Sequence, residues 1–204
     1  MKLIAVTTGE QEEKYLIQTI ASIIPYLDAV ILREKQMTEQ DYSLFIQRVL
    51  AQGVPEEKLI IHGHTTLPGE TNVKTLHLSE KRIQEVHDHR KQSPGLQVGV
   101  STHSNEVAKR AEQLGATYIL YGHVFSTASK KGVKPKGVEK LAAVAKEVSI
   151  PVYAIGGITS AKVTDIYQAK ASGIAVMSGV FSQNNPLQAV QSFRKEVNRN
   201  EETR

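Results

Sequence analysis

Residues 97–123, QVGVSTHSNEVAKRAEQLGATYILYGH, hold two short apolar runs on either side of one amphipathic segment. The runs, 97–101 and 118–121, are rich in β-branched and aromatic residues and carry little internal polarity, as strands do in a parallel sheet covered on both faces. Between them Ser104 precedes Asn105 and Glu106, apolar residues recur at Val107, Ala108, Ala111 and Leu114, and Gly115 follows. A hydroxyl before an acidic first turn, a helical spacing and a closing glycine mark the start, body and stop of a helix. The stretch is therefore a β-α-β unit.

The same alternation extends in both directions. Further strand candidates are 3–7, 29–32, 59–61, 75–78, 151–155 and 174–177, and helical patterns cover 12–24, 39–52, 80–91, 104–114, 138–148, 160–170 and 186–198. Only 62–74 lacks a helical pattern. Thr159 or Ser160 is placed to cap the helix after the seventh strand, and Pro186 stands where a first helical turn tolerates proline. Eight successive units predict an α/β fold, a single (β/α)8 TIM barrel over residues 1–204 with no linker or second domain. The alternative, an open doubly wound sheet, favours six strands and a glycine fingerprint after the first. Here the first strand leads into Thr7, Thr8 and Gly9 instead.

Composition removes several classes of chemistry. With no cysteine, disulfides, thiolate-bound metals and cysteine nucleophiles are excluded, so site chemistry falls to His, Asp, Glu, Lys, Arg, Ser, Thr or Tyr. The apolar run from Leu3 to Val6 is too short for a signal-peptide core, and no run is long enough for a bilayer, so the expected location is the cytoplasm. A net charge of +4 comes with only 5% aromatics and with scattered cations, which points away from nucleic acid and membrane partners. The local group Lys130, Lys131, Lys134 and Lys136 suits one small anion better than a polyanion.

In such a barrel the site gathers where strands end. Gly156 and Gly157 follow the seventh strand, and Met177, Ser178 and Gly179 follow the eighth. Glycines at those two strand ends let backbone N–H groups approach a phosphate, the recurrent anion site of this fold; tight turns alone are the plainer reading. Arg33 and Lys35 flank Glu34 beyond the second strand, and in extended chain both point the same way, toward a carboxylate or second anion. The long loop 125–137 carries Thr127, Ser129, Lys130 and Lys131, and its length suits a lid that closes over a phosphate or a mobile surface segment. Ser101, Thr102 and His103 follow the fifth strand.

Seven histidines need separate weighing. The pairs His62 with His64 and His87 with His89 lack a third ligand at metal-binding spacing, so no metal is expected. His77, inside a strand, reads as packed or hydrogen-bonded. His103 reads as lining the pocket or capping a helix at the surface. His123 stands just past Gly122 at the end of the sixth strand, and an imidazole there can take and return a proton near neutrality.

Taken in order, segments 31–35, 98–104, 118–130, 150–158 and 173–181 resemble the thiamin phosphate synthase superfamily, and within it the thiazole tautomerase family, TenI. In the synthase branch the resemblance implies an Asn-Asp-Arg run after the third strand and an Asp after the fourth, which hold magnesium on a pyrimidine pyrophosphate. This chain has His62-Gly63-His64 and Ser79-Glu80-Lys81 there, with Glu80 one residue from the second Asp position. The synthase's Gly-Pro becomes Gly122-His123, as in the tautomerase branch. The resemblance thus implies a cofactor-independent isomerase of thiamin biosynthesis and a homodimer. Its catalytic base and acid is His123, moving a proton to aromatise a carboxythiazole phosphate. Arg33, Lys35, Ser101, Thr127, Ser129, Lys130, Gly156, Gly157, Met177, Ser178 and Gly179 would bind the substrate. The alternatives are a thiamin phosphate synthase and a regulator that senses thiazole phosphate without turnover.

Overall fold

The computed structural model describes residues 1–202. Eight parallel strands close into a barrel in sequence order: β1 (Lys2–Val6), β2 (Ala29–Leu32), β3 (Leu59–His62), β4 (Thr75–Leu78), β5 (Gln97–Thr102), β6 (Tyr118–Gly122), β7 (Val152–Ile155) and β8 (Gly173–Val176). β8 pairs with β1, with Leu3 opposite Ile174. The (β/α)8 barrel expected from the alternation is the observed fold, and no open edge remains as it would in a doubly wound sheet.

Helices α1 (Glu13–Ile23), α2 (Glu39–Leu50), α4 (Glu85–Gln92), α5 (Asn105–Gln113), α6 (Val138–Glu147), α7 (Val163–Gln168) and α9 (Pro186–Glu202) surround the strands, and short helices α3 (Leu67–Glu70) and α8 (Ser178–Phe181) sit at strand ends. Their starts follow local chemistry. Glu12 accepts from the amides of Lys14 and Tyr15, and the hydroxyls of Thr38 and Ser104 accept from Asp41 and Val107. Gly115, at φ +92°, turns the chain out of α5 as the Ala116 amide donates back to the Ala111 carbonyl.

Several boundaries differ from the sequence reading. Segment 80–91 breaks into a 3-10 turn, Glu80–Arg82, followed by α4; at the break Arg82 reaches back to the Gly63 carbonyl and Thr65. Segment 160–170 likewise opens with a 3-10 turn, Ser160–Lys162, and neither Thr159 nor Ser160 caps it through its side chain. Segment 62–74 does hold one helical turn, α3, and α9 runs past residue 198 because Val197 and Asn200 are buried.

The core has two layers. Ile4, Val6, Ile31, Ile60, Leu120 and Ala175 fill the barrel interior with the Tyr118 ring. The opposite strand faces bury Leu3, Val30, Leu32, Leu76 and Val98 under the apolar stripes of the helices. At the N-terminal end Asp28 accepts from the Leu3 amide at 2.8 Å and from Arg194 of α9 at 2.7 Å, tying the last helix across the barrel's closing seam. Among the described residues no helix is long and apolar enough to cross a membrane.

Candidate active site

At the C-terminal ends of the strands lies a cavity of 1010 Å³. Arg33, Lys35, Ser101, His123, Thr127, Ser129, Lys130, Gly156, Gly157, Met177, Ser178 and Gly179 all line it. Lys131, Lys134 and Lys136 do not; Lys131 and Lys134 are exposed on the loop and Lys136 is half-buried at its base.

The β2 side supplies cations. The Arg33 amide donates to the Thr7 hydroxyl at 2.7 Å and its guanidinium to the Thr8 carbonyl at 3.1 Å, which fixes the side chain across the mouth. Glu34 turns the other way and is buried. Burial pushes its carboxyl up, against the opposing pull of Thr7, Arg33 and the Gly9 amide. The positive charge of Arg33, then burial, then Lys130 hold Lys35 below its ordinary range. Three like charges thus face one space, and none forms a salt bridge with a carboxylate among the described residues. Such crowding is stable only with a counter-anion or solvent between the charges.

His123 is buried on the opposite wall. Its Nε2 lies 3.2 Å from the Val133 carbonyl, which can only accept, so Nε2 carries the proton of the neutral ring. Nδ1 is buried without a protein partner. The glycines around it serve packing first. A Cβ on Gly156 would stand 2.4 Å from the His123 Cβ, and one on Gly122 would stand 2.1 Å from the Ile155 carbonyl oxygen. Gly156 and Gly157 also have φ of +100° and +66°, a region that favours glycine. The turn reading of these glycines and the anion reading are therefore compatible. α8 begins at Ser178, so the loops after β7 and β8 and a short extra helix meet where this fold commonly holds phosphate.

Loop 125–137 is pinned at its base, where the Lys136 amide donates to the His123 carbonyl and the Gly137 amide to the Val124 carbonyl, both at 2.9 Å. Lys162 donates to the Gly157 carbonyl at 3.1 Å and lies over the Phe125 ring, stitching the loop to the β7 end.

The β3 to β5 half contributes His62, His64, Glu80, Lys81 and Arg82; the sequence weighed His62, His64 and Glu80 only at metal-ligand positions and gave Arg82 no role. Burial, then Arg33 and Lys35, lowers the His62 pKa to about 4, so its ring is neutral at pH 7. His103 lines the cavity and its Nδ1 lies 2.6 Å from a Glu80 oxygen. A magnesium site needs several oxygen ligands. His62, Gly63 and His64 supply no carboxylate after β3, Glu80 is engaged by His103, and no group of three or more metal-ligating side chains converges among the described residues. These residues do not fit magnesium.

The barrel thus opens on a cavity with glycine turns after β7 and β8 on one side and Arg33, Lys35 and Lys130 on its walls. The family model described as thiamine monophosphate synthase matches residues 3–180, and the chain belongs to that family, TMP-TENI, which is enzymatic. A thiamine-phosphate synthase of Chlorobium luteolum is 35% identical over 140 residues, 68% of this chain and 66% of the relative. One from Coprothermobacter proteolyticus is 33% identical over 171 residues, 82% of this chain and 80% of its own. A solved thiamine phosphate pyrophosphorylase of Pyrococcus furiosus superposes with a TM-score of 0.81 at 23% identity, covering 98% of this chain and 96% of that one, which supports the fold. These relatives correct the tautomerase expectation: they carry the synthase name, the alternative weighed above. The features that suggested the isomerase branch, Gly122-His123 in place of Gly-Pro and the missing carboxylates at 62–64 and 79–81, are a few positions set against similarity spread across the barrel.

Proposed function

We propose that the chain is a transferase of the thiamine-phosphate synthase type, joining a thiazole phosphate to a pyrimidine pyrophosphate. The observation that carries this reading is the convergence of Arg33, Lys35 and Lys130 on the space that also holds the β7–β8 cup. Two anionic substrates bring enough negative charge to occupy such a site.

In this reading Gly156, Gly157, Ser178 and Gly179 take the thiazole phosphate through backbone N–H groups, assisted by Thr127, Ser129 and Lys130, and Met177 and Ser101 border the ring. Arg33 and Lys35 hold the diphosphate of the second substrate. The thiazole nitrogen attacks the pyrimidine methylene as its carbon–oxygen bond breaks, and the electron pair leaves with diphosphate. In its imidazolium form His123 would donate from Nδ1 to the departing oxygen, while the Val133 carbonyl holds Nε2–H and keeps the ring in place. Because the donor set does not suit a hard divalent ion, the side-chain cations supply the neutralising charge.

The direct test is product formation by the pure protein from the two substrates, with a chelator and with magnesium. Joined product and released diphosphate in the chelated reaction support the proposal; no product under either condition overturns it. Tight binding of thiazole phosphate without turnover then favours the sensor. The same reading places the protein in the cytoplasm, where phosphate esters are retained, and as a homodimer, which sedimentation of the pure protein checks.

A further inference from the structure

Three strands bring together three side chains that are far apart in sequence. In the register of the sheet His77 of β4 lies opposite Gly99 of β5, and Gly99 lies opposite Tyr118 of β6. Glycine in the middle of that row leaves a gap, and the Tyr118 ring fills it: a Cβ on Gly99 would stand 1.9 Å from the Tyr118 Cζ. Leaning over Gly99, the phenol oxygen comes within 3.1 Å of His77 Nδ1. The other ring nitrogen, Nε2, lies 2.9 Å from the Ser101 hydroxyl, two residues on along β5 and on the cavity wall.

The proton positions in this chain follow from satisfaction. His77 is 1% exposed, and burial, with the neighbouring His62, holds its pKa well below the ordinary range, so the ring is neutral with one donor and one acceptor. Tyr118 is buried, and among the described residues His77 is the one hydrogen-bond partner of its hydroxyl. Were Nδ1 protonated, the Tyr118 proton would have nowhere to go, a cost of about 1–3 kcal/mol for a buried donor. With Nδ1 bare, Tyr118 donates to it, Nε2–H donates to Ser101 Oγ, and every buried donor is used. The Ser101 proton is then the only one left unplaced.

We propose that Tyr118, His77 and Ser101 form a one-way hydrogen-bond chain that leaves the Ser101 proton free to donate to an acceptor atom of the bound substrate. His77 and Tyr118 act as positioning residues and touch no substrate. The Nε2–H bond uses one of the two Oγ lone pairs, so the chain leaves the Ser101 proton to an acceptor such as a phosphate oxygen or a carboxylate. The orientation also sets Ser101 apart from a serine nucleophile, whose hydroxyl would donate to the histidine.

This inference rests on the cavity being the substrate site and not on which reaction occurs there. Nitrogen-15 NMR of the histidine-labelled full chain, with the His77 signals identified by their loss in His77→Gln, reads the tautomer directly. The expected result is a protonated Nε2 and a bare Nδ1 throughout pH 5–8, and a Tyr118→Phe change that moves the Nδ1 resonance while Nε2 stays protonated. A protonated Nδ1 in the wild type overturns the chain. Thiazole phosphate binding to Ser101→Ala is expected to weaken about 10-fold, the usual loss of one hydrogen bond. Unchanged affinity overturns the donor assignment. Failure of synthase turnover, in contrast, leaves the tautomer result intact.

Discussion

The two halves of the barrel mouth solve different problems. The β6 to β8 half is built from glycines with positive φ, backbone amides and a loop pinned at its base, and it leaves one histidine nitrogen, Nδ1 of His123, without a protein partner. The β3 to β5 half, joined by Tyr118 from the start of β6, is built from side chains that satisfy one another: Tyr118 with His77, His77 with Ser101, Glu80 with His103. One half keeps groups free for chemistry and the other spends its groups on orientation. A free group is replaceable without cost to the fold, whereas a member of a satisfied network is not.

That contrast is open to attack from both sides. The largest effect is expected for His123→Ala, about 100- to 10,000-fold in turnover. Turnover within a few-fold of wild type removes His123 from the reaction. Gly156→Ala tests whether the glycine half is equally dispensable to folding: its new Cβ collides with His123 and its φ is unfavourable, so urea unfolding is expected to show a loss of about 3 kcal/mol. An unfolding midpoint equal to wild type would show that the loop end shifts freely.

The third test uses acid. His62 binds its proton in the barrel only near pH 4, whereas the unfolded chain binds it near the ordinary value of 6.5. Between these values the unfolded state holds more protons, so stability falls as pH drops through that window and is fully present above it. From pH 7 to 5 the ring's share of the loss is about 2 kcal/mol. Comparing wild type with His62→Gln isolates it, and parallel pH profiles for the two proteins would rule it out. Smallest is Arg33→Ala, expected to raise KM for the diphosphate substrate about 10-fold with kcat less affected and with a weaker salt dependence. A KM that does not move would take Arg33 out of substrate binding.

Much of the fold was legible because each strand and helix is specified locally. Ser104 and Gly115 bracket α5, and the apolar runs mark all eight strands. The short α8 was not legible, since four residues carry no helical period. The break before α4 was hidden as well; it depends on Arg82 meeting Gly63, a contact between distant segments. In the site, the strand-end residues from Arg33 to Gly179 were visible because barrel topology places them together. The β3 to β5 network was not, because His77, Gly99 and Tyr118 meet only through sheet register, and Gly99 matters for what it lacks. The choice of branch went astray because it set His123 and the missing carboxylates after β3 and β4 above the similarity carried by the rest of the chain.

The base of loop 125–137 has a consequence for how such proteins diversify. Both ends of the loop stand on the same two residues, His123 and Val124, through paired amide bonds. A segment that leaves and returns at one rung transmits little of its own length or composition to the barrel beneath. Its contents behave as an exchangeable cassette: sequences grafted between residues 126 and 135 can alter what is held over the mouth while the barrel keeps its register.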